Sequence, residues 1–307
     1  MASILITGGA GFIGSNIAEA LCKEHDITVL DNLSTGKPEN IPKSKRIKFI
    51  KGDVCDPAAV RGALKGIDCV IHLAALLSVP RSIKDPVSTD RINTGGTLNV
   101  LFESSRAEVK RFVYASSSSV YGNTKKLPDD EGMNPDPLSP YAASKVAGEY
   151  YCSVFARSFG LSAVSLRYFN VFGPRQDPGS EYSAVVPKFI AQMMKGERPL
   201  ICGNGEQTRD FTYVKDVVLA NSLVMESKKG SGGVFNIATG RKQSLNQLVE
   251  KLNELLGTKI KPAYLEPRAG DIMHSIADIT RANKAFGYEP KWGFEQGLKE
   301  TLEWYSK

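Results

Sequence analysis

Short apolar runs rich in β-branched residues alternate along the first half of the chain with longer stretches whose apolar positions recur every three or four residues. The short runs at 3–7, 27–30, 47–51, 69–73, 111–116 and 162–167 predict strands. The helical period at 12–23, 87–105 and 141–159 predicts helices between them. Strands alternating with helices predict a parallel sheet covered on both faces. Cys69-Val70-Ile71-His72-Leu73 is apolar on both sides of the strand, as such burial requires. After residue 170 turn clusters crowd together, at Gly173-Pro174, Asp177-Pro178-Gly179 and Gly203-Asn204-Gly205 and over 230–233. Helices are predicted there at 184–195, 214–227 and 245–256. A boundary near 170 therefore separates a regular unit, 1–170, from a less regular one, 171–307. A segment near 210–235 is a candidate to fold back onto the first.

The 307 residues suffice for one large domain or two modest ones. No apolar run reaches the roughly 18 residues a membrane span needs. The first strand runs directly into glycines, without a basic start or a small-residue cleavage site, so a cytoplasmic location is expected. The five cysteines stand singly and the three histidines are far apart, which speaks against a disulfide framework and a metal site. The net charge of +6 is dispersed, apart from short clusters such as 43–48, so no nucleic-acid stripe is expected. A modest positive charge suits an anionic small molecule.

Thr7-Gly8-Gly9-Ala10-Gly11-Phe12-Ile13-Gly14-Ser15 joins the first strand to the first helix. Gly8 can make the tight turn, Gly11 lets backbone amides approach a pyrophosphate, and Gly14 lets the helix pack closely on the sheet. The helix N-terminus adds partial positive charge, with Phe12 and Ile13 in its first turn. These features predict a Rossmann-type doubly wound α/β fold that binds a dinucleotide. Asp31 ends the second strand, 17 residues after Gly14, where an acidic side chain binds ribose hydroxyls. It would repel a 2′-phosphate, and Asn32 and Leu33 offer no compensating cation, so NAD is expected over NADP. Asp53 and Val54 follow the third strand and are candidates to flank the adenine.

Tyr141-Ala142-Ala143-Ser144-Lys145 opens the helix at 141–159 and puts a phenol and an ammonium on one face. A phenol titrates near 10, and nearby positive charge favours its anion. Tyr141 is then a candidate to exchange a proton with a substrate hydroxyl while hydride moves to or from the cofactor. Ala115-Ser116-Ser117-Ser118-Ser119-Val120-Tyr121-Gly122 ends the strand at 111–116. Ligands sit at that carboxyl edge in open parallel sheets, and a hydroxyl there can bond the reacting oxygen.

Together these elements resemble the extended short-chain dehydrogenase/reductase family, and within it the sugar-nucleotide 4-epimerases acting on UDP-glucose and UDP-N-acetylglucosamine. The resemblance spans essentially the whole chain. It implies a Rossmann domain holding NAD, a smaller α/β C-terminal substrate domain, and an isomerase working through a transient 4-keto sugar. It makes Tyr141 the base and acid, and gives Lys145 the nicotinamide ribose and the task of lowering the Tyr141 pKa. Counting back from Val120-Tyr121-Gly122 makes Ser117 the catalytic hydroxyl, with Ser116 and Ser118 as alternatives and Ser118 also on the substrate side. His72-Leu73-Ala74-Ala75 matches the segment passing the pyrophosphate, with Leu73, Ala74 and Ala75 as cofactor contacts. Asn93 matches a structural or cofactor-side asparagine. Asn170, in Arg167-Tyr168-Phe169-Asn170, and Arg209 and Arg268 would hold the diphosphate, since guanidiniums donate paired hydrogen bonds. Asp271 would reach the uridine ribose.

Ser275 falls where some members carry an aromatic gate beside the sugar, so its small side chain should admit an N-acetyl group. Val79-Pro80-Arg81-Ser82 and the segment 170–178 also look like the branch that takes N-acetylated sugars. A 4,6-dehydratase would need an Asp-Glu pair where Ser118 and Ser119 stand. A UDP-glucuronate decarboxylase or epimerase differs in the charge facing C6, which these motifs do not assign. A non-catalytic NAD-binding regulator would not need both Tyr141 and Lys145. The resemblance further implies a homodimer, paired through the helices near 87–105 and 141–159.

Overall fold

The computed structural model describes residues 1–124, 126–179, 184–267 and 272–307. In chain order the first unit runs β1 (Ser3–Thr7), α1 (Phe12–Leu21), β2 (Asp26–Asp31), β3 (Ile47–Lys51), α2 (Pro57–Ala63), β4 (Cys69–His72), α3 (Val79–Lys84), α4 (Pro86–Asp90), α5 (Gly96–Arg106), β5 (Arg111–Ser117), α6 (Pro140–Ser158) and β6 (Ala163–Tyr168). There follow β7 (Val171–Phe172), α7 (Val185–Met194), β8 (Leu200–Cys202), β9 (Thr208–Arg209), β10 (Thr212–Tyr213), α8 (Val214–Glu226), β11 (Val234–Ile237), β12 (Gln243–Ser244), α9 (Leu245–Leu256), β13 (Ala263–Leu265), α10 (Thr280–Phe286) and α11 (Phe294–Tyr305).

Seven parallel strands form one sheet in the order β11-β6-β5-β4-β1-β2-β3. Alternate residues of each strand feed opposite faces. Ile4, Ile6, Val29 and Ile71 pack with α1, α8 and α10, whereas Leu5, Leu30, Val70 and Phe112 pack with residues of α2, α5 and α6. The chain departs in opposite directions from the β1–β4 neighbourhood, which opens a crevice at the carboxyl edge. A third core joins α7, α9 and α11 through Phe189, Ile190, Leu248, Leu252, Leu298 and Leu302. Three two-stranded ladders, β7 with β10, β9 with β12 and β8 with β13, belong to the second half. No helix among the described residues is long and apolar enough to cross a membrane.

Phe211, Tyr213 and Val214 belong to the third core, and from Val217 on the chain returns to the large sheet. α8 packs on α1, and β11 pairs with β6 to complete the large sheet. β11 is a short run of β-favouring residues, Val234-Phe235-Asn236-Ile237, between glycine turns, and its parallel pairing with β6 fixes its place in the sheet.

The predicted helix at 87–105 is a correction. The chain starts α3 on the Ser78 cap and restarts α4 on the Asp85 cap, each with a proline in the first turn. A π-helical turn then spans Arg91–Gly95 before α5. The extra residue of that turn accompanies Asn93, whose amide is fully engaged inside. Asn93 accepts from Leu76 N at 2.7 Å and donates to Leu76 O at 3.1 Å and Ser144 Oγ at 3.0 Å. Gly96 packs so closely on Val54 that a Cβ would lie 2.8 Å from its Cγ2.

Candidate active site

The glycine loop is shaped by close approach. Gly8 has φ +71°, and a Cβ on it would lie 2.8 Å from Ala74 N. A Cβ on Gly14 would lie 2.4 Å from Gly8 O. Gly11 caps α1 without any side-chain bond, so the first-turn amides keep donors to offer an anion. The Asp31 carboxylate closes the crevice end of β2. It accepts from Ala10 N at 3.0 Å and Leu33 N at 2.8 Å, which fixes its orientation. Asn32 donates to Asp53 at 3.0 Å, and Asp53 also caps Cys55 N at 2.8 Å. A glycine cradle that tolerates no Cβ, open helix amides and an oriented carboxylate at the strand end together fit a dinucleotide carrying an unsubstituted adenosine ribose.

His72 belongs to the scaffold. Its ring bonds Thr7 Oγ1 at 2.7 Å and Thr97 Oγ1 at 2.9 Å, and burial pushes its pKa down to about 3, so it stays neutral. Asn93 likewise stands behind the crevice, holding the loop after β4 against α6, and does not line it.

Gly8, Gly11, Gly14, Ser117, Ser118, Tyr141, Lys145, Asn170, Arg209 and Ser275 all border one cleft of about 540 Å³. Ser139 caps α6 through Ala142 N, and the helix then carries Tyr141 and Lys145 to the cleft on one face. Lys145 donates to Ala115 O at 2.8 Å, with Nζ 5.9 Å from the centre of the Tyr141 ring. The three serines divide by strand geometry. Ser116 points away and donates to Glu149 at 2.5 Å. Ser117 lies close enough to the Tyr141 phenol to favour its ionised form, and its hydroxyl accepts from Ser119 N at 3.2 Å.

The electrostatics differ from the simple expectation. Burial raises the Tyr141 pKa above its ordinary value, and the neighbouring Ser117 hydroxyl opposes that rise. Burial also brings the Lys145 ammonium down to about 8, which leaves it mostly charged at neutral pH, and Glu149 acts to retain that charge. Glu149 stands four residues beyond Lys145 on α6, one turn along the same face. It pairs with Arg167 through two bonds of 2.8 and 2.7 Å, and both side chains are buried. Arg167 also stacks on Tyr121, 4.6 Å from the ring centre.

Asn170, at φ +35°, donates to Asp210 O at 3.3 Å. Arg209 donates to Thr208 O at 2.9 Å. Both also border an adjoining pocket of about 300 Å³ walled by Val185, Phe189, Ile201, Phe211 and Leu245. Ser275 is held by its N–H to Thr208 O at 3.1 Å. Arg268 and Asp271 lie outside the described residues. Tyr168 and Gln176, which lie in motif segments that give them no role of their own, also line the cleft, as does Asp129, which lies in no motif.

Comparison with known proteins agrees with this arrangement. Residues 4–238 match the NAD dependent epimerase/dehydratase family. The chain is similar to a UDP-N-acetylglucosamine 4-epimerase from Methanobrevibacter ruminantium solved with UDP-N-acetylmuramic acid, at 43% identity and TM-score 0.96, covering 99% of this chain and 98% of that one. It is similar to a UDP-glucose 4-epimerase from Thermotoga maritima solved with UDP-glucose, at 41% identity and TM-score 0.94, with the same coverage. It is also similar to a UDP-glucuronic acid 4-epimerase from Bacillus cereus solved with UDP-glucuronic acid and NAD, at 32% identity and TM-score 0.91, covering 99% of each.

Proposed function

The chain belongs to the NAD dependent epimerase/dehydratase family, and we propose that it is an isomerase that inverts C4 of UDP-hexoses, UDP-glucose and UDP-galactose, and their N-acetylamino counterparts. The observation that carries the reading is one cleft lined together by the glycine loop, by Ser117, Tyr141 and Lys145, and by Asn170 and Arg209.

Bound NAD supplies the acceptor and donor of the C4 hydride. Tyr141 takes the proton of the sugar O4 hydroxyl and later returns it, and Ser117 bonds that oxygen and keeps it in line with the phenol. Lys145, anchored on Ala115 O, supplies positive charge near the phenol as the proton leaves. Asn170 and Arg209 hold the diphosphate while the 4-keto sugar turns between its two faces. The adjoining apolar pocket takes the nucleoside end. Ser118 and Ser119 provide hydroxyls where elimination of water would need an acid and a base. A purified sample that converts neither UDP-galactose nor UDP-N-acetylgalactosamine to its 4-epimer contradicts the reading.

Ser275 lines the cleft with a side chain that leaves room for an N-acetyl group. Ser275→Tyr is expected to lower kcat/KM for UDP-N-acetylgalactosamine by about 100-fold and for UDP-galactose by only a few-fold, the size of effect that occluding a bulky substituent produces. Equal losses on both substrates count against a gate at this position.

The outer face of α6 exposes Tyr150 and Val154, and Phe102 of α5 and Ile83 of α3 are exposed as well. We read this face as the seam of a homodimer, since apolar side chains so grouped mark an interface. Sedimentation should give a dimer that Val154→Asp converts to monomer, whereas a wild-type monomer at micromolar concentration would contradict it.

A further inference from the structure

We propose that Asp129 selects the sugar: its carboxyl hydrogen-bonds a hydroxyl or acylamino N–H of an uncharged hexose and turns away a sugar bearing a carboxylate. This rests on the UDP-sugar reading above and deepens it, because it names the charge that faces the hexose.

Asp129 is 3% exposed and sits on the wall of the cleft. Its backbone is fixed on three sides. Its N–H donates to Ile276 O at 2.8 Å, and its carbonyl accepts from Asn236 Nδ2 at 2.9 Å and Asp278 N at 2.9 Å. The bridge to Ala277 places it two positions from Ser275, which lines the same cleft. These bonds fix the backbone at Asp129 and so fix where its carboxyl starts from. Yet Oδ1 is buried without a hydrogen-bond partner among the described residues. A buried carboxyl oxygen left so is costly unless something fills the gap. Scaffold pairing does not account for it. Arg167, the cation that acts on Asp129, gives two of its donors to Glu149, and its Nη1 is likewise buried without a hydrogen-bond partner among the described residues.

The charges around Asp129 come from three elements. Burial raises its pKa to about 7; Arg167 on β6 opposes the rise, and the adjacent Asp130 and Asp210, between β9 and β10, add to it. Near neutral pH the group is therefore poised between donor and acceptor. With an uncharged hexose either form makes a hydrogen bond. A sugar carboxylate in the same enclosed cleft meets like charge once Asp129 ionises, and two such groups cannot both stay charged at low cost.

The test compares kcat/KM and calorimetric affinity for UDP-glucose and UDP-glucuronate on the NAD-loaded enzyme, in wild type, Asp129→Asn and Asp129→Ser, from about pH 6 to about pH 9. In wild type the preference for UDP-glucose should grow as pH rises through about 7. In both variants the preference should become independent of pH and fall by about tenfold or more at the alkaline end. Both variants keep a small polar group, so a folding defect in one leaves the other to decide. A wild-type preference that is flat with pH, or one that the variants leave unchanged, overturns the proposal. Failure of the wild type to turn over either sugar nucleotide overturns the epimerase reading instead, and the affinity ratios then decide the role of Asp129 alone.

Discussion

Tyr141→Phe should lower turnover of UDP-galactose by about 10³-fold, within the range that a positioned proton-transfer group contributes, while leaving bound NAD and the thermal midpoint nearly unchanged. The substitution removes one oxygen from a ring that is 8% exposed and packed on α6. Lys145 keeps its bond to Ala115 O without the phenol, and the glycine loop does not depend on Tyr141 for its shape. Binding and fold should therefore survive, and only the proton path is cut. Steady-state kinetics beside the absorbance of retained cofactor separate the two effects. Turnover within a few-fold of wild type would remove Tyr141 from the chemistry.

The second large effect is on stability. Glu149→Ala should cost on the order of 3–5 kcal/mol of unfolding free energy, because it leaves the Arg167 guanidinium buried without its counter-charge. The pair is held by two bonds of 2.8 and 2.7 Å, and Glu149 also takes the Ser116 hydroxyl. Replacing both partners, as in Glu149→Ala with Arg167→Met, should recover a large part of the loss, since a buried ion pair is worth much less than the damage done by breaking it. Denaturant titration measures both. A single variant as stable as wild type, or a double variant no better than the single, would contradict the role assigned to the pair. Glu149 is also the charge that helps Lys145 retain its proton against burial, so stability and chemistry share this carboxylate.

What could be read in the sequence was what local spacing encodes. The first six strands of the sheet announced themselves by apolar runs, and the glycine loop by its place between a strand and a helix. The separation of Tyr141 and Lys145 put them on one helical face. The same rule extends one turn further to Glu149, so that residue was legible and overlooked. Strand alternation, likewise, already separates Ser116 from Ser117. Other features depend on contacts between distant parts of the chain. β11 is only four residues long, and its pairing with β6 sets its place in the sheet. Asn93 breaks an otherwise regular helical period because its amide must reach the Leu76 backbone and Ser144. Asp129 looks like part of a polar turn until the chain from Ile276 to Asp278 closes over it. The Tyr141 pKa misled for a related reason: spacing brings an ammonium near the phenol, but burial acts on both groups and weighs more.

In the proposed reaction C4 loses its hydrogen as hydride and receives the same one back on the opposite face. UDP-galactose carrying deuterium at C4, incubated with the enzyme in ordinary water, is the direct probe. The UDP-glucose formed should retain deuterium at C4. UDP-glucose with solvent hydrogen at C4, or no 4-epimer at all, would contradict this reaction.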